Sequence, residues 1–156
     1  GAAALMRRAR DLGVPGIIDA EAPVPEEALA EATHVAFSRQ GLTDLTGETD
    51  LGQALRAARM RFDAWLAVTD GAAGVRVLDA EGERFFPAPK VKPVDTLAAG
   101  DVWHGAFALA LAEGQGEDAA IRFASAAASL KCTRFGGRAG TPTREELTRF
   151  MAKDTP

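Results

Sequence analysis

Residues suited to chemistry are concentrated in one short segment, DTLAAGD at positions 95–101. Its small residues Ala98, Ala99 and Gly100 lead into an apolar stretch that predicts a helix beginning near Ala99. An anion can come close to such a backbone, because small side chains leave room for it and the N–H groups of a helix's first turn have no intrahelical acceptor. The segment therefore predicts a phosphate-binding site.

Asp101 falls in the first turn of this predicted helix, next to the expected phosphate. There its carboxylate could act as a general base and take the proton of a hydroxyl that attacks the phosphorus. The backbone N–H groups of Ala98, Ala99 and Gly100 would form an anion hole for the charge that develops on the phosphoryl oxygens. These two parts together predict phosphoryl transfer. The spacing alone equally allows a structural role, in which Asp101 only caps its helix.

Alternating strands and helices must position this segment. In the first 70 residues, short apolar runs predict strands and amphipathic stretches predict helices. A hairpin follows, then two apolar helices, a Gly-rich loop and a last helix that opens with a Thr-x-x-Glu capping box. This order predicts an α/β fold with a mainly parallel sheet. The predicted strands are 16–19, 34–37 and 65–69, the hairpin is 75–86, and the helices are 2–12, 25–29, 50–62, 101–113, 118–132 and from Thr143 onward.

Composition and charge exclude several classes of protein. A chain of 156 residues can bury one sizeable core, so one domain is expected. The net charge of −4 argues against nucleic-acid binding, and no apolar stretch approaches the roughly 20 residues of a membrane span. Since no signal-peptide pattern is found, export is not expected. The single Cys132 excludes a disulfide framework and a structural zinc site, so a reducing, cytoplasmic setting is expected.

The segment 94–107, VDTLAAGDVWHGAF, resembles the second signature of the ribokinase-like (PfkB) carbohydrate kinases, which is Asp-Thr-x-Gly/Ala-Ala-Gly-Asp followed by an aromatic residue and Gly-Ala. Residues 68–75, VTDGAAGV, are similar to the family's Thr-x-Gly-x-x-Gly strand end, and 121–142 is similar to its C-terminal helix and loop. The resemblance implies a ribokinase-like three-layer α/β/α fold with a mainly parallel sheet. It further implies that 1–156 is the C-terminal, nucleotide-binding and catalytic part of a single domain whose N-terminal part and lid lie outside this chain.

By this resemblance the chain is a carbohydrate kinase that transfers the γ-phosphoryl group of ATP to a hydroxyl of a sugar or sugar derivative, with Mg²⁺ as cofactor and Asp101 as general base. A homodimer through the lid is a further implication. A catalytically impaired nucleotide- or sugar-binding relative of the same fold is the alternative, while a Rossmann-type dehydrogenase is disfavoured because the dinucleotide fingerprint is missing. The residues expected to border the ATP are Thr69, Gly71, Gly74, Ser125 and Ala128.

The resemblance also implies a monovalent cation, K⁺, held by backbone carbonyls. The hydroxyl that usually accompanies this site falls on Gly140, which has none, so the chain departs from the family there. The positions that match the cation site are Asp95, Leu97, Lys131, Arg134 and Gly136.

The clearest departure concerns Mg²⁺. The family's Asn-x-x-Glu element, whose Glu helps to organise Mg²⁺ and its waters, stands here as Ser38-Arg39-Gln40-Gly41. Either another acid replaces the Glu, with Asp44 and Glu48 as candidates, or this member handles the metal less well.

Four further side chains have both structural and functional interpretations. His104, three residues after the expected base, is expected to be a hydrogen-bonded residue of the helix face. Cys132 is expected to be a small buried apolar residue. Lys131 and Arg138 could meet phosphates, but the expected state of each is a solvated surface side chain.

Overall fold

The computed structural model describes residues 1–21 and 24–153. Within these residues, helices and strands alternate through the first half of the chain, and helices alone fill the second half, as the sequence predicts. The helices are α1 Ala2–Asp11, α2 Glu26–Glu31, α3 Arg39–Thr46, α4 Leu51–Arg59, α5 Ala99–Ala112, α6 Glu117–Cys132 and α7 Arg144–Lys153, and the strands are β1 Ile17–Ala20, β2 His34–Ser38, β3 Trp65–Thr69, β4 Gly74–Asp79 and β5 Gly82–Pro87.

The chain divides into two compact units. The first unit comprises Gly1–Asp70 and Val75–Phe85, and the second comprises Gly71–Gly74 and Phe86–Pro156. The first therefore holds most of the sheet with α1 to α4, and the second holds α5 to α7.

The sheet has the strand order β1-β2-β3-β4-β5. Strands β1, β2 and β3 are parallel neighbours, and β4 pairs with β3 in the antiparallel sense. The central strands are nearly continuous apolar runs, and Val35, Leu66 and Val68 are fully buried, as expected for strands that are covered on both faces. The α/β fold predicted from the sequence is confirmed.

Helix α4 shows how the helices of the first unit attach to their core. It begins after Asp50, whose side chain accepts a hydrogen bond from the Gln53 N–H at 2.9 Å and thereby caps the helix. Its apolar side chains recur at helical spacing, and all of them are buried. These residues are Leu51, Ala54, Leu55 and Ala58, followed by Phe62 beyond the helix end.

Helix α3 was not predicted from the sequence. The Ser38 side chain caps its start by accepting a hydrogen bond from the Gly41 N–H at 3.0 Å, and Gly47 ends it with φ of 75°. Its sequence, RQGLTDLT, contains glycine and two threonines, which are poor helix formers, so local propensity alone does not indicate this helix.

The second unit is built on the close packing of α5 and α6. Trp103 and Phe107, one turn apart on α5, stack with ring centroids 5.1 Å apart and are both buried. Helix α7 opens with the predicted capping box, since the Glu146 carboxylate accepts from the Thr143 N–H at 2.8 Å and the Thr143 hydroxyl accepts from the Glu146 N–H at 3.3 Å. Among the described residues, no helix is both long and apolar enough to span a membrane.

Candidate active site

The turn that leads into α5 has an unusual backbone conformation. Ala98 caps this helix with φ of 60° and ψ of 18°, and within residues 1–21 and 24–153 it is the one non-glycine residue with positive φ. This left-handed conformation costs an L-residue about 1–2 kcal/mol. Strain of this kind is concentrated at functional sites, where the surrounding structure holds it in place. The strained turn therefore falls within the segment predicted to bind phosphate, and phosphate binding itself stays a prediction.

Asp101 lies in the first turn of α5 and is exposed to solvent. It borders a pocket of about 500 Å³ that also takes in Ala98 and the guanidinium-bearing Arg138. The Asp101 carboxylate is thus accessible to a ligand, and the same pocket is lined by a positively charged side chain that could bind an anion. The rest of the pocket wall is mostly apolar and includes Val102, Gly105, Ala106, Leu109, Phe123 and Leu147.

The predicted anion hole is only partly available. The N–H of Ala99 donates to the Thr96 carbonyl at 3.1 Å, which closes the turn before the helix. That hydrogen bond would have to lengthen before Ala99 could donate to an anion. The N–H groups at the start of α5 have no acceptor within the helix itself, as at any helix N-terminus, so the roles of Ala98 and Gly100 remain predictions.

Asp95 connects this turn to the chain that follows α6. Its carboxylate accepts hydrogen bonds from the Leu97 N–H at 2.9 Å and from the Gly136 N–H at 2.7 Å. These two hydrogen bonds hold the pKa of the Asp95 carboxyl below its ordinary value. The N–H groups of Val94 and Asp95 both donate to the Cys132 carbonyl, at 2.7 and 3.1 Å. Both the carboxylate of Asp95 and the backbone N–H groups at Val94 and Asp95 thus connect the turn before α5 to the end of α6 and the residues that follow it.

The expectation that Lys131 lies on the surface is wrong. Its side chain is fully buried, and its Nζ donates to the backbone carbonyl of Asp95 at 2.8 Å. The Asp95 carboxylate lies 3.8 Å from the same Nζ. An unpaired ammonium is too costly to bury, and here a carbonyl and a carboxylate compensate for the water it has lost. Arg138, by contrast, is exposed as expected.

The two glycines expected near the ATP have backbone conformations that suit glycine. Gly71 has φ of 51° and Gly74 has φ of 128°. A Cβ on Gly74 would overlap the Phe86 carbonyl oxygen, so no larger residue fits there. Thr69, in the first unit, donates its hydroxyl to the Phe37 carbonyl at 3.3 Å. The structure thus explains the Thr-x-Gly-x-x-Gly pattern by backbone geometry, and an ATP contact stays a prediction.

Ser125 is buried and has a partner within the protein. Its hydroxyl accepts a hydrogen bond from the Trp103 indole N–H at 3.2 Å, which joins α6 to α5. It also borders a small pocket of about 230 Å³ together with Pro89 and Arg122. Ala128, one turn further along α6, is partly exposed. Both remain predicted ATP neighbours, and Ser125 has a structural role besides.

His104 and Cys132 have modest roles. The His104 Nδ1 donates to the Gly100 carbonyl at 2.9 Å, which confirms a hydrogen-bonded histidine on the helix face. Cys132 is partly exposed rather than fully buried as predicted, although the burial that it has raises the pKa of its thiol.

The position of the missing Mg²⁺ glutamate is closed by packing. Gly41 is buried in α3, and a Cβ there would overlap the backbone carbonyl oxygen of Ala20. The candidate replacement Asp44 is exposed and accepts a hydrogen bond from Gln40 Nε2 at 2.7 Å, and Glu48 is exposed as well. Over residues 1–21 and 24–153, no group of three or more His, Cys, Asp and Glu side chains could hold a metal ion. The described side chains therefore offer no cluster of this size for Mg²⁺, and the position of the family's Glu offers no carboxylate.

Comparison with known proteins agrees with these motifs. The sequence pattern described as "pfkB family carbohydrate kinase" matches residues 2–144. A ribokinase of Bacillus subtilis is 38% identical over 130 residues, which are 83% of this chain and 43% of that protein.

Solved structures share the fold. A protein from Agrobacterium tumefaciens superposes with a TM-score of 0.91 at 44% identity, covering 97% of this chain and 52% of that one. An Arabidopsis thaliana ribokinase, solved with ribose and ATP, superposes with a TM-score of 0.88 at 27% identity, covering 96% of this chain and 51% of that one. The chain thus spans about half the length of these relatives.

Proposed function

The chain belongs to the pfkB family of carbohydrate kinases, and we propose that it provides the nucleotide-binding and catalytic part of an enzyme that phosphorylates a sugar or sugar derivative with ATP. The observation that carries this proposal is the strained turn at Ala98, which leads into a helix whose first turn presents the exposed carboxylate of Asp101. The relatives of similar sequence and the Arabidopsis ribokinase solved with ribose and ATP support the same reaction.

In the proposed reaction, Asp101 accepts the proton of the sugar hydroxyl while the hydroxyl oxygen forms a bond to the γ-phosphorus. The bond from that phosphorus to the bridging oxygen of ADP breaks, and ADP leaves with its electrons. The N–H groups of Ala98, Ala99 and Gly100 stabilise the phosphoryl oxygens. The Ala99 N–H exchanges its Thr96 acceptor for the anion.

The packing at Gly41 determines how we expect Mg²⁺ to bind to this protein. Mg²⁺ commonly keeps several waters and binds through substrate phosphates with one or two carboxylates. We propose that it reaches this protein on the ATP phosphates, since the position of the family's Glu admits no side chain. A K⁺ at the carbonyls near Asp95 would have to share one of them with the Lys131 ammonium.

The remaining expectations belong to the whole protein. We propose that residues 1–156 form one part of a single ribokinase-like domain, that the sugar is selected largely by the length that the relatives have beyond this match, and that the enzyme works in the cytoplasm. A homodimer through a lid would involve that same further length. The alternative is a nucleotide- or sugar-binding relative with little activity, which the closed position at Gly41 favours.

A direct test incubates the intact protein with ATP, Mg²⁺ and a panel of pentoses, hexoses and sugar acids, and detects ADP and sugar phosphate together. The proposal predicts equal amounts of both products with at least one sugar. Binding of ATP, seen by calorimetry, without a sugar phosphate from any member of the panel would favour the binding relative.

A further inference from the structure

Lys131 carries a charge that the proposed reaction does not use. It is the one lysine or arginine with a fully buried side chain among the described residues, and it lies at the C-terminal end of α6. Its Nζ is bonded to the Asp95 carbonyl, 2.8 Å away, in the segment that continues into the strained turn at Ala98. The most deeply buried cation among the described residues therefore donates a hydrogen bond to the segment that leads into the candidate active site.

The same carbonyl is one of those that the family resemblance assigns to K⁺. Lys131 Nζ already occupies a position next to this oxygen, and the Asp95 carboxylate is 3.8 Å from it. An ammonium group and K⁺ carry the same charge and both bind carbonyl oxygens. The two cations would repel each other strongly at such short range, since the Lys131 side chain is fully buried and solvent screens its charge poorly. These residues do not fit a K⁺ while the Lys131 ammonium is in place.

Gly140 supports this interpretation independently. It stands where the family usually has a hydroxyl, and it is buried. A Cβ on Gly140 would lie 3.5 Å from the Cε of Lys131, which is ordinary van der Waals distance, so this position lies beside the lysine stem and has room for a small side chain. A position that the resemblance assigns to a cation ligand therefore has no ligand group in this chain, and a buried lysine lies beside it.

We propose that the Lys131 ammonium replaces the monovalent cation in this protein and acts as a positioning residue for the turn before α5. It holds the Asp95 carbonyl, while the Asp95 carboxylate holds the N–H groups of Leu97 and Gly136. The protein is accordingly independent of K⁺, because the charge that would otherwise come from solution is part of the chain.

The test measures thermal unfolding of the intact protein in chloride salts of K⁺, Na⁺ and tetramethylammonium at one ionic strength. Lys92→Ala is the control, because it removes an exposed lysine near the same turn. For wild type and for Lys92→Ala, the melting temperature of each protein should not change among the three salts. In tetramethylammonium, Lys131→Ala should have a lower melting temperature than wild type. Saturating K⁺ should raise the melting temperature of this variant by about 5 °C, because a ligand that binds only the folded state stabilises it. The double variant Lys131→Ala with Gly140→Ser should respond at lower K⁺ concentrations.

The melting experiment does not depend on the proposed kinase function. A turnover experiment does depend on it, and its result is interpreted separately. In it, K⁺ should leave the kcat of wild type unchanged and restore that of Lys131→Ala. A K⁺-specific rise in the melting temperature of wild type would overturn the proposal, even if every Lys131 variant failed to fold. Folded Lys131→Ala that responds to no monovalent cation would overturn it as well. Lys131→Met, which fills the space without a charge, should stay unresponsive to K⁺, and a response would contradict the replacement.

Discussion

Helices α5 and α3 each have a glycine in their first turn, and the two glycines differ in the space around them. At Gly100, in the first turn of α5, an added Cβ would meet nothing within 4 Å. At Gly41, in the first turn of α3, an added Cβ would overlap the Ala20 carbonyl oxygen. The backbone around Gly100 at the start of α5 thus has open space beside it, whereas Gly41 in α3 lets two backbone segments of the first unit approach closely.

The contrast between Gly100 and Gly41 accompanies a contrast in sequence between the two family elements, the segment 95–101 and the segment 38–41. The segment 95–101 matches the family pattern and is held by hydrogen bonds to the Asp95 carboxylate, in the conformation that our proposal assigns to phosphate binding. The segment 38–41 departs from the family pattern at the residue whose side chain has no room. An acidic side chain at position 41 is therefore incompatible with the packing of the first unit.

The largest expected effect is on catalysis at the first of these segments. Asp101→Asn removes the proposed base and should lower sugar-dependent ATP turnover about 100-fold or more, with ATP affinity nearly unchanged. A steady-state kinetic assay of the intact protein measures kcat, and calorimetry measures the affinity. Asp118→Asn is the matched control, because Asp118 lies in the first turn of the neighbouring helix α6. Near-normal turnover of Asp101→Asn would remove its role as base.

A smaller effect is expected on stability at the second segment. Gly41→Ala should lower the free energy of unfolding by about 2 kcal/mol, since the new methyl group is forced against the Ala20 backbone. Gly41→Glu, which restores the family's residue, should be worse and should not improve turnover at low Mg²⁺. Denaturant unfolding measures both variants.

Gly105→Ala is the matched control for Gly41→Ala. Gly105 also lies in a helix, and an added Cβ there would meet nothing within 4 Å. The substitution should raise the free energy of unfolding by about 0.5–1 kcal/mol, because alanine loses less conformational freedom than glycine. Equal destabilisation by Gly41→Ala and Gly105→Ala would mean that the contrast in packing is not real.

The smallest expected effect is a pH dependence at the start of α7, because the Glu146–Arg134 pair is about one-third exposed and solvent screens it. Hydrogen bonds from the Arg134 guanidinium and the Thr143 N–H lower the pKa of Glu146 from 4.5 to about 2. The charged form is favoured in the folded state, so its contribution is present above pH 4.5 and is lost as the pH falls toward 2. The unfolding free energy of wild type should fall more steeply over this range than that of Glu146→Gln. Parallel curves for the two proteins would contradict the assignment.

Much of the fold could be predicted because hydrophobic periodicity is a local signal. The strands near Val35 and Leu66, the apolar face of α4 and the capping box at Thr143 all follow from the order of residue types. Helix α3 could not be predicted this way, since its glycine and threonines are poor helix formers and the close approach of Gly41 to Ala20 joins separate elements.

The candidate site shows the same division. The phosphate segment and Asp101 are visible in the sequence because their chemistry is contained in seven consecutive residues. The burial of Lys131 is not visible, because lysines are rarely buried and its partner Asp95 is 36 positions away. The one signal available in the sequence was Gly140, where a hydroxyl was expected and none was present.

The most direct test of the central contrast is hydrogen–deuterium exchange of the intact protein with and without a non-hydrolysable ATP analogue and Mg²⁺. If the turn before α5 binds the phosphates, the amide hydrogens of residues 98–101 should exchange more slowly in the complex, while those of 39–46 should be unchanged. Slower exchange at 39–46 with no change at 98–101 would contradict the account.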